Sequence, residues 1–274
     1  MRASRVARWL GVPVCLALVA AGRPARGPGA AAPSAPSRTL TVFAAASLSR
    51  AFGQLGDTLR HRTPGLEIAF NFAGSQQLVL QIQQGAPADV FASADLRWMA
   101  AVRDSGLVDG TPTVFAHNRL IVVTPAAAPI AGLQDLARPG VKLVLAADAV
   151  PVGRYARQAL SNLSRLPGFG ADFDRRVLAN VVSNEEDVKA VVAKVQLGEA
   201  DAGIVYVSDV GAEVAPHVKR IDVPDAANVV ADYPVAVLRR ARDPEDARAF
   251  VALLLSPSGQ AVLRANGLVG TAGD

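Results

Sequence analysis

Cysteine is nearly absent from this 274-residue chain, and Cys15 is its only one. It lies in an apolar run near the N-terminus. Loss of that run by processing leaves no cysteine, which excludes a disulfide framework and thiol chemistry. Histidine is almost as scarce. His61, His117 and His217 stand apart from one another and from any cysteine, so zinc-type ligand spacing is missing. There is no phosphate-binding P-loop and no Gly-x-Ser-x-Gly nucleophile elbow. Beyond the run at 9–21, itself short for a membrane span, no segment is apolar enough to cross a bilayer. An excess of positive charge also fades on inspection. The formal +4 includes Arg2, Arg5 and Arg8; without them it is +1, and without Arg23 as well it is zero. That removes the main support for nucleic-acid binding.

What is present begins with an export signature. Arg2, Arg5 and Arg8 form a basic n-region, 9–21 is the apolar h-region, and Ala20-Ala21-Gly22 offers a small-residue cleavage site. Residues 1–22 therefore read as a signal peptide. The Pro-, Ala-, Gly- and Ser-rich stretch 23–38 reads as a flexible tether. Val12-Pro13-Val14 before Cys15 lacks the small residues of a lipoprotein processing site, so a soluble, secreted product is expected.

From there on, short strand-like runs alternate with helical patterns. Strands are predicted at 67–72, 89–92, 118–124, 142–146, 202–207 and 233–238. Helices are predicted at 75–84, 95–105, 153–163, 185–198, 244–255 and 258–265. This alternation implies an α/β fold with mainly parallel sheets. The apolar runs 120–123 and 235–238 lack a preceding Ser cap and bracket one large block. They are read as the crossover strands of a hinge, giving a first lobe from 39–116 and 233–274 and an inserted second lobe at 117–232. Helix N-termini from both lobes then face one cleft, where α/β sheets bind ligands. A single continuous sheet is the alternative.

The chemistry concentrates at strand-to-helix junctions. Leu40-Thr41-Val42-Phe43-Ala44-Ala45-Ala46-Ser47-Leu48 is a β-type run that ends at a serine, after which Leu48, Phe52, Leu55 and Leu59 follow helical spacing. Ser47 is expected at the N-cap, where free N–H groups and the helix dipole favour anions. Gly74-Ser75 is expected to turn tightly and cap the next helix. Val150-Pro151-Val152-Gly153 exposes amides near a helix start. Ser183 and Glu186 have capping-box spacing, and Gly203-Ile204-Val205-Tyr206 delivers a phenol at a strand end. Asp89, Asp95, Asp148 and Asp201 suit surface or capping roles. Neither Ser47 nor Ser75 has an evident base partner, so a secreted α/β hydrolase using either serine is the rival reading. The favoured chemistry is an oxyanion held by neutral donors.

Ala44-Ala45-Ala46-Ser47-Leu48, Gly74-Ser75-Gln76-Gln77-Leu78, the stretch from Gly85-Ala86-Pro87 to Ser93-Ala94-Asp95, and Gly203-Ile204-Val205-Tyr206-Val207-Ser208-Asp209 resemble the periplasmic molybdate-binding proteins of ABC transporters. The likeness continues through Asn118-Arg119-Leu120, Val150-Pro151-Val152-Gly153-Arg154-Tyr155 and Tyr233-Pro234-Val235, in order along the whole mature chain. It implies a two-lobed type II periplasmic binding protein fold and a hinge that closes on molybdate or tungstate. It also implies a periplasmic, non-enzymatic monomer that needs no cofactor, binds no nucleic acid and meets the membrane only through an ABC permease. Carried onto this chain, the likeness makes Ser47 and Ser75 hydroxyl and amide donors. Val152 and Val188 become amide donors and Tyr206 a phenolic donor, all acting on the oxyanion's oxygens and none ligating the metal directly. Capture of another oxyanion such as sulfate is the alternative within this class. The acidic run 185–187 is expected to face solvent or cap its helix, since carboxylates beside a dianion repel it.

Overall fold

A computed structural model describes residues 38–271; the expected signal peptide and most of the expected tether lie outside that span. The chain opens with β1 (Arg38–Ala45), a 3-10 turn (Ala46–Leu48) and α1 (Ser49–Arg62). It continues with β2 (Leu66–Ala73), α2 (Ser75–Gln83), β3 (Val90–Ala92), α3 (Leu96–Asp104) and β4 (Val108–Asn118). A second run holds β5 (Leu120–Pro125), β6 (Leu143–Ala146), α4 (Pro151–Leu163), α5 (Phe173–Leu178) and β7 (Val181–Glu185), then α6 (Val188–Gln196), β8 (Ala202–Tyr206) and β9 (Val218–Asp222). The chain then returns through β10 (Ala231–Leu238), α7 (Pro244–Leu255), α8 (Pro257–Ala265) and β11 (Val269–Gly270).

These strands form two sheets, ordered β11-β4-β10-β3-β1-β2 and β7-β6-β8-β5-β9, one per lobe. A single continuous sheet is thereby excluded. Both sheets are mixed, not mainly parallel: four strand pairs run parallel and five antiparallel. Strands linked by helices pair parallel, as a crossover helix requires. β4, β5 and β10 carry the chain between lobes and run against their neighbours. β4 stays in the first sheet through Asn118 and β5 starts in the second at Leu120, so the outward crossing is the single residue Arg119. The return crossing uses 223–230. Asn228 ties the two crossings together, accepting the Leu120 N–H and donating to the Leu120 carbonyl, both at 2.9 Å.

Strand alternation sets the packing of the first lobe. Leu40 and Val42 of β1 face Phe52, Phe115 and Phe250 under α1, α7 and α8. Phe43 faces the other way, onto Leu78, Ile82, Phe91 and Met99 beneath α2 and α3. In the second lobe α4 and α6 cover β5, β6 and β8. Pro151, Pro244 and Pro257 each open a helix at a position where a missing N–H costs nothing. The sequence pattern passed over most of β4, whose alternation is broken by exposed polar residues and Gly110 at φ +74°. It also passed over the charged edge strand β9 and the six-residue α5.

Candidate functional site

Ser47, Ser75, Val152, Val188 and Tyr206 come from five separate elements and line one small cavity between the sheets, with about 220 Å³ of atom-free space including its mouth. Ala45, Ala46, Ala73 and Ala94 supply small apolar walls, and the lining contains no Lys, Arg or His.

The first-lobe serines differ from their expected local roles. Ser47 does not cap a helix: it sits inside the 3-10 turn, and no side-chain cap bond is made there or at α1. The turn aims its buried hydroxyl inward, 2.9 Å from the Tyr233 hydroxyl. Ser75 is likewise not a cap. Gly74 holds the extended N-cap position and Ser75 is the first helical residue, whose Oγ accepts the Ala94 N–H at 3.0 Å. A Cβ on Gly74 would lie 2.5 Å from the Glu186 carbonyl oxygen, so only glycine lets the start of α2 approach the start of α6 this closely.

The second lobe contributes two helix starts and a strand end. Val152 is the second residue of α4 and Val188 the first of α6, positions whose N–H groups have no intrahelical acceptor. The expected Ser183–Glu186 capping box does not form, because Ser183 belongs to β7. Asp187 caps α6 instead, accepting the Lys189 and Ala190 N–H groups at 2.7 and 3.0 Å. The rest of the acidic run is also engaged. Glu186 accepts from the Gln77 side chain, and Glu185 pairs with Lys194 at 2.7 Å. Burial opposes ionisation of Glu185, but Lys194 and Ser183 outweigh it and hold the carboxyl below its usual range.

Tyr206 ends β8, fully buried, and its hydroxyl has no hydrogen-bond partner among the described residues. Burial, with lesser contributions from Tyr233, Tyr155, Asp95 and Asp209, pushes its pKa well above the usual phenol range, so it stays a neutral donor. Tyr233 is raised by burial too, despite its bond to Ser47. Nearby cations are committed to carboxylates: Arg154 to Asp95 at 2.7 Å and Lys189 to Asp209 at 3.2 Å. Neither serine has a His, Asp, Glu or Lys among its hydrogen-bond partners, so the hydrolase reading finds no base. Among the described residues no group of three His, Cys, Asp or Glu side chains is placed to hold a metal ion.

The sequence reading missed Tyr233 and Asn118. Asn118 donates to the Ser208 hydroxyl at 2.8 Å and to the Tyr233 oxygen at 3.3 Å. A tyrosine leading an apolar strand was the available signal, in a chain with only three tyrosines.

The family profile described as bacterial extracellular solute-binding protein matches residues 40–269. The molybdate-binding protein ModA of Mycobacterium tuberculosis (strain H37Rv) is 40% identical over 95% of this chain and 98% of its own length. The Azotobacter vinelandii periplasmic molybdate-binding protein superposes with a TM-score of 0.73 at 21% identity, covering 84% of this chain and 98% of its own. The sulfate-binding protein SubI of M. tuberculosis superposes at 0.76 with 18% identity, covering 85% and 87%. At such identities these two structures speak for the fold alone, and the fold is shared by binders of different oxyanions. With the profile spanning nearly all of the described chain and a relative 40% identical along its length, this chain belongs to the bacterial extracellular solute-binding proteins, alongside the molybdate-binding proteins ModA.

Proposed function

We propose that this chain captures molybdate, and tungstate with it, outside the cytoplasm and delivers it to an ABC permease. It does so as a monomer released from an N-terminal signal peptide at 1–22. The relatives' names point to the ligand, and one observation at the site carries the reading: the polar groups that converge on the cavity from the five proposed residues are donors. Ser75 Oγ already accepts an N–H, Tyr206 Oη is buried without a partner, and the helix-start amides of Val152 and Val188 can only donate. A tetrahedral dianion is all acceptor, and each charge-assisted bond to it is worth about 1.5–3 kcal/mol. Its charge is met by oriented dipoles, as at other helix starts. Hydrogenphosphate carries an O–H for which the five proposed residues offer no dedicated acceptor, so it is disfavoured. Sulfate has the same acceptors as molybdate but is smaller, and cavity size discriminates against it.

Calorimetric titration of the mature protein with molybdate, tungstate, sulfate and phosphate tests this. Heat is expected from the first two only; heat from sulfate alone, or from none of the four, overturns the assignment. The Ser47→Ala/Ser75→Ala double variant is expected to lose at least about 100-fold in molybdate affinity. Unchanged affinity in that variant rejects the site.

A further inference from the structure

We propose that Tyr233, oriented by Asn118, is a positioning residue that fixes the Ser47 hydroxyl as a donor into the cavity. The inference rests on the oxyanion reading of the site given above. It comes from following donors and acceptors along one buried chain of side chains. Asn118, Tyr233 and Ser47 are 0%, 0% and 5% exposed, so solvent does not satisfy them.

The polarity of the chain is set at its far end. Asn118 Oδ1 accepts the Arg119 N–H at 2.9 Å, which fixes the orientation of the side-chain amide. A flipped amide would set N–H against N–H. Asn118 Nδ2 therefore faces the Ser208 and Tyr233 hydroxyls and donates one hydrogen to each. With its oxygen accepting from Asn118, Tyr233 places its own proton on Ser47 Oγ at 2.9 Å, the shortest side-chain hydrogen bond it makes. Ser47 then has its acceptor side filled and its own proton left over. The cavity is where that proton points.

Ser75 reaches the same state by a shorter route, since the Ala94 N–H fills its acceptor side directly. Both serines are thus held as donors, Ser75 by the backbone of a residue in the cavity wall and Ser47 by a side chain, Tyr233, that does not line the cavity. For Ser47 the holding groups stand at the junction of the lobes. Asn118 ends β4 just before the chain crosses at Arg119, and Ser208 follows β8 in the second lobe. The direction of the Ser47 donor is therefore linked to the seating of the second lobe.

A double-mutant cycle in molybdate affinity, on the full mature chain, separates positioning from mere packing. Ser47→Ala is expected to weaken molybdate by about 10- to 100-fold, and Tyr233→Phe, which keeps the ring, by about 10-fold. The double variant should be no weaker than Ser47→Ala alone, because without Ser47 there is no hydroxyl to orient. Tyr233→Phe should also narrow the preference for molybdate over hydrogenphosphate, since the freed Ser47 oxygen can now accept an O–H. Independent losses that multiply in the double variant, or an unchanged molybdate-to-phosphate ratio, overturn the proposal. If Tyr233→Phe fails to fold, Asn118→Asp replaces it in the cycle. A carboxylate there accepts from Tyr233 and reverses the chain, so molybdate affinity should fall and adding Ser47→Ala should cost little more. A wild-type protein that binds no molybdate rejects the oxyanion reading itself; a wild type that binds, with independent losses, rejects only the role of Tyr233.

Discussion

Tyr206 shows most directly how a binding site differs from a stable core. A buried hydroxyl without a partner is a standing cost to the fold of about 1–3 kcal/mol, recovered only when a ligand accepts from it. Tyr206→Phe is therefore expected to raise the melting temperature of the ligand-free protein while weakening molybdate about tenfold. Lower stability with unchanged affinity would contradict the donor role. The same burial governs the alkaline limit. The chain has three tyrosines, and all are raised: Tyr206 and Tyr233 chiefly by burial, and Tyr155, also by burial, to about 12. Each holds its proton more tightly folded than unfolded. Their contribution to stability is complete below the ordinary phenol value near 10 and is lost as pH rises through the folded values. Phenolate absorbance should stay flat through about pH 10 and then rise together with loss of helix signal. Ionisation near pH 10 in a still-folded protein would show that the tyrosines are accessible.

At the scale of elements, helix starts do two jobs here that make different demands on charge. The first turns of α4 and α6 border the cavity, and the amides at a helix start favour a negative ligand. Capping α6 with Asp187, however, places a carboxylate on the cavity rim. An asparagine caps as well as an aspartate and carries no charge. Asp187→Asn is thus expected to tighten molybdate several-fold, with stability lowered by no more than about 1 kcal/mol from the weaker dipole interaction. Asp187→Ala should instead cost about 1 kcal/mol of stability through loss of the cap. Calorimetry and thermal melts on the two variants decide whether the side chain acts as a cap, as a repelling charge, or as both.

On the scale of the whole molecule, polar side chains link the lobes across the cleft alongside apolar contacts. Arg154 of α4 reaches Asp95, the N-cap of α3, at 2.7 Å, and the Trp98 indole donates to the Ala149 carbonyl at 2.9 Å. The Gln76 and Gln77 side chains reach Glu186. Such links favour the closed arrangement modestly and leave it responsive to ligand. Asp95 is almost wholly buried whereas Arg154 is one-third exposed, so removing the arginine strands a carboxylate that water can reach if the cleft opens. Arg154→Met should increase the ligand-free radius of gyration in small-angle scattering and weaken molybdate about tenfold by taxing closure. Unchanged scattering and affinity would remove the pair from the closing equilibrium.

Much of this protein was legible in its local chemistry. Apolar runs of period two and stripes of helical period marked most strands and helices, because those patterns record which face of each element is buried. Small residues and prolines at strand-to-helix junctions marked the Ser47, Ser75 and Val152 positions, a phenol at a strand end marked Tyr206, and only the resemblance to molybdate-binding proteins marked Val188; all five line the cavity. What lay out of reach was every relation between groups distant along the chain. The capping spacing of Ser183 and Glu186 was overruled because β7 pairs with β6 through Glu185, leaving Asp187 as the next residue able to cap. The sheets came out mixed because the chain crosses between lobes and back, which no local period records. The Ser47 hydroxyl has the sequence position of a cap, yet it meets Tyr233, 186 residues away. Residue type by itself determined that hydroxyls and amides would gather at these junctions. Whether each acts as donor or acceptor was decided only by tertiary structure, because a hydroxyl takes its direction from the partners that packing places beside it.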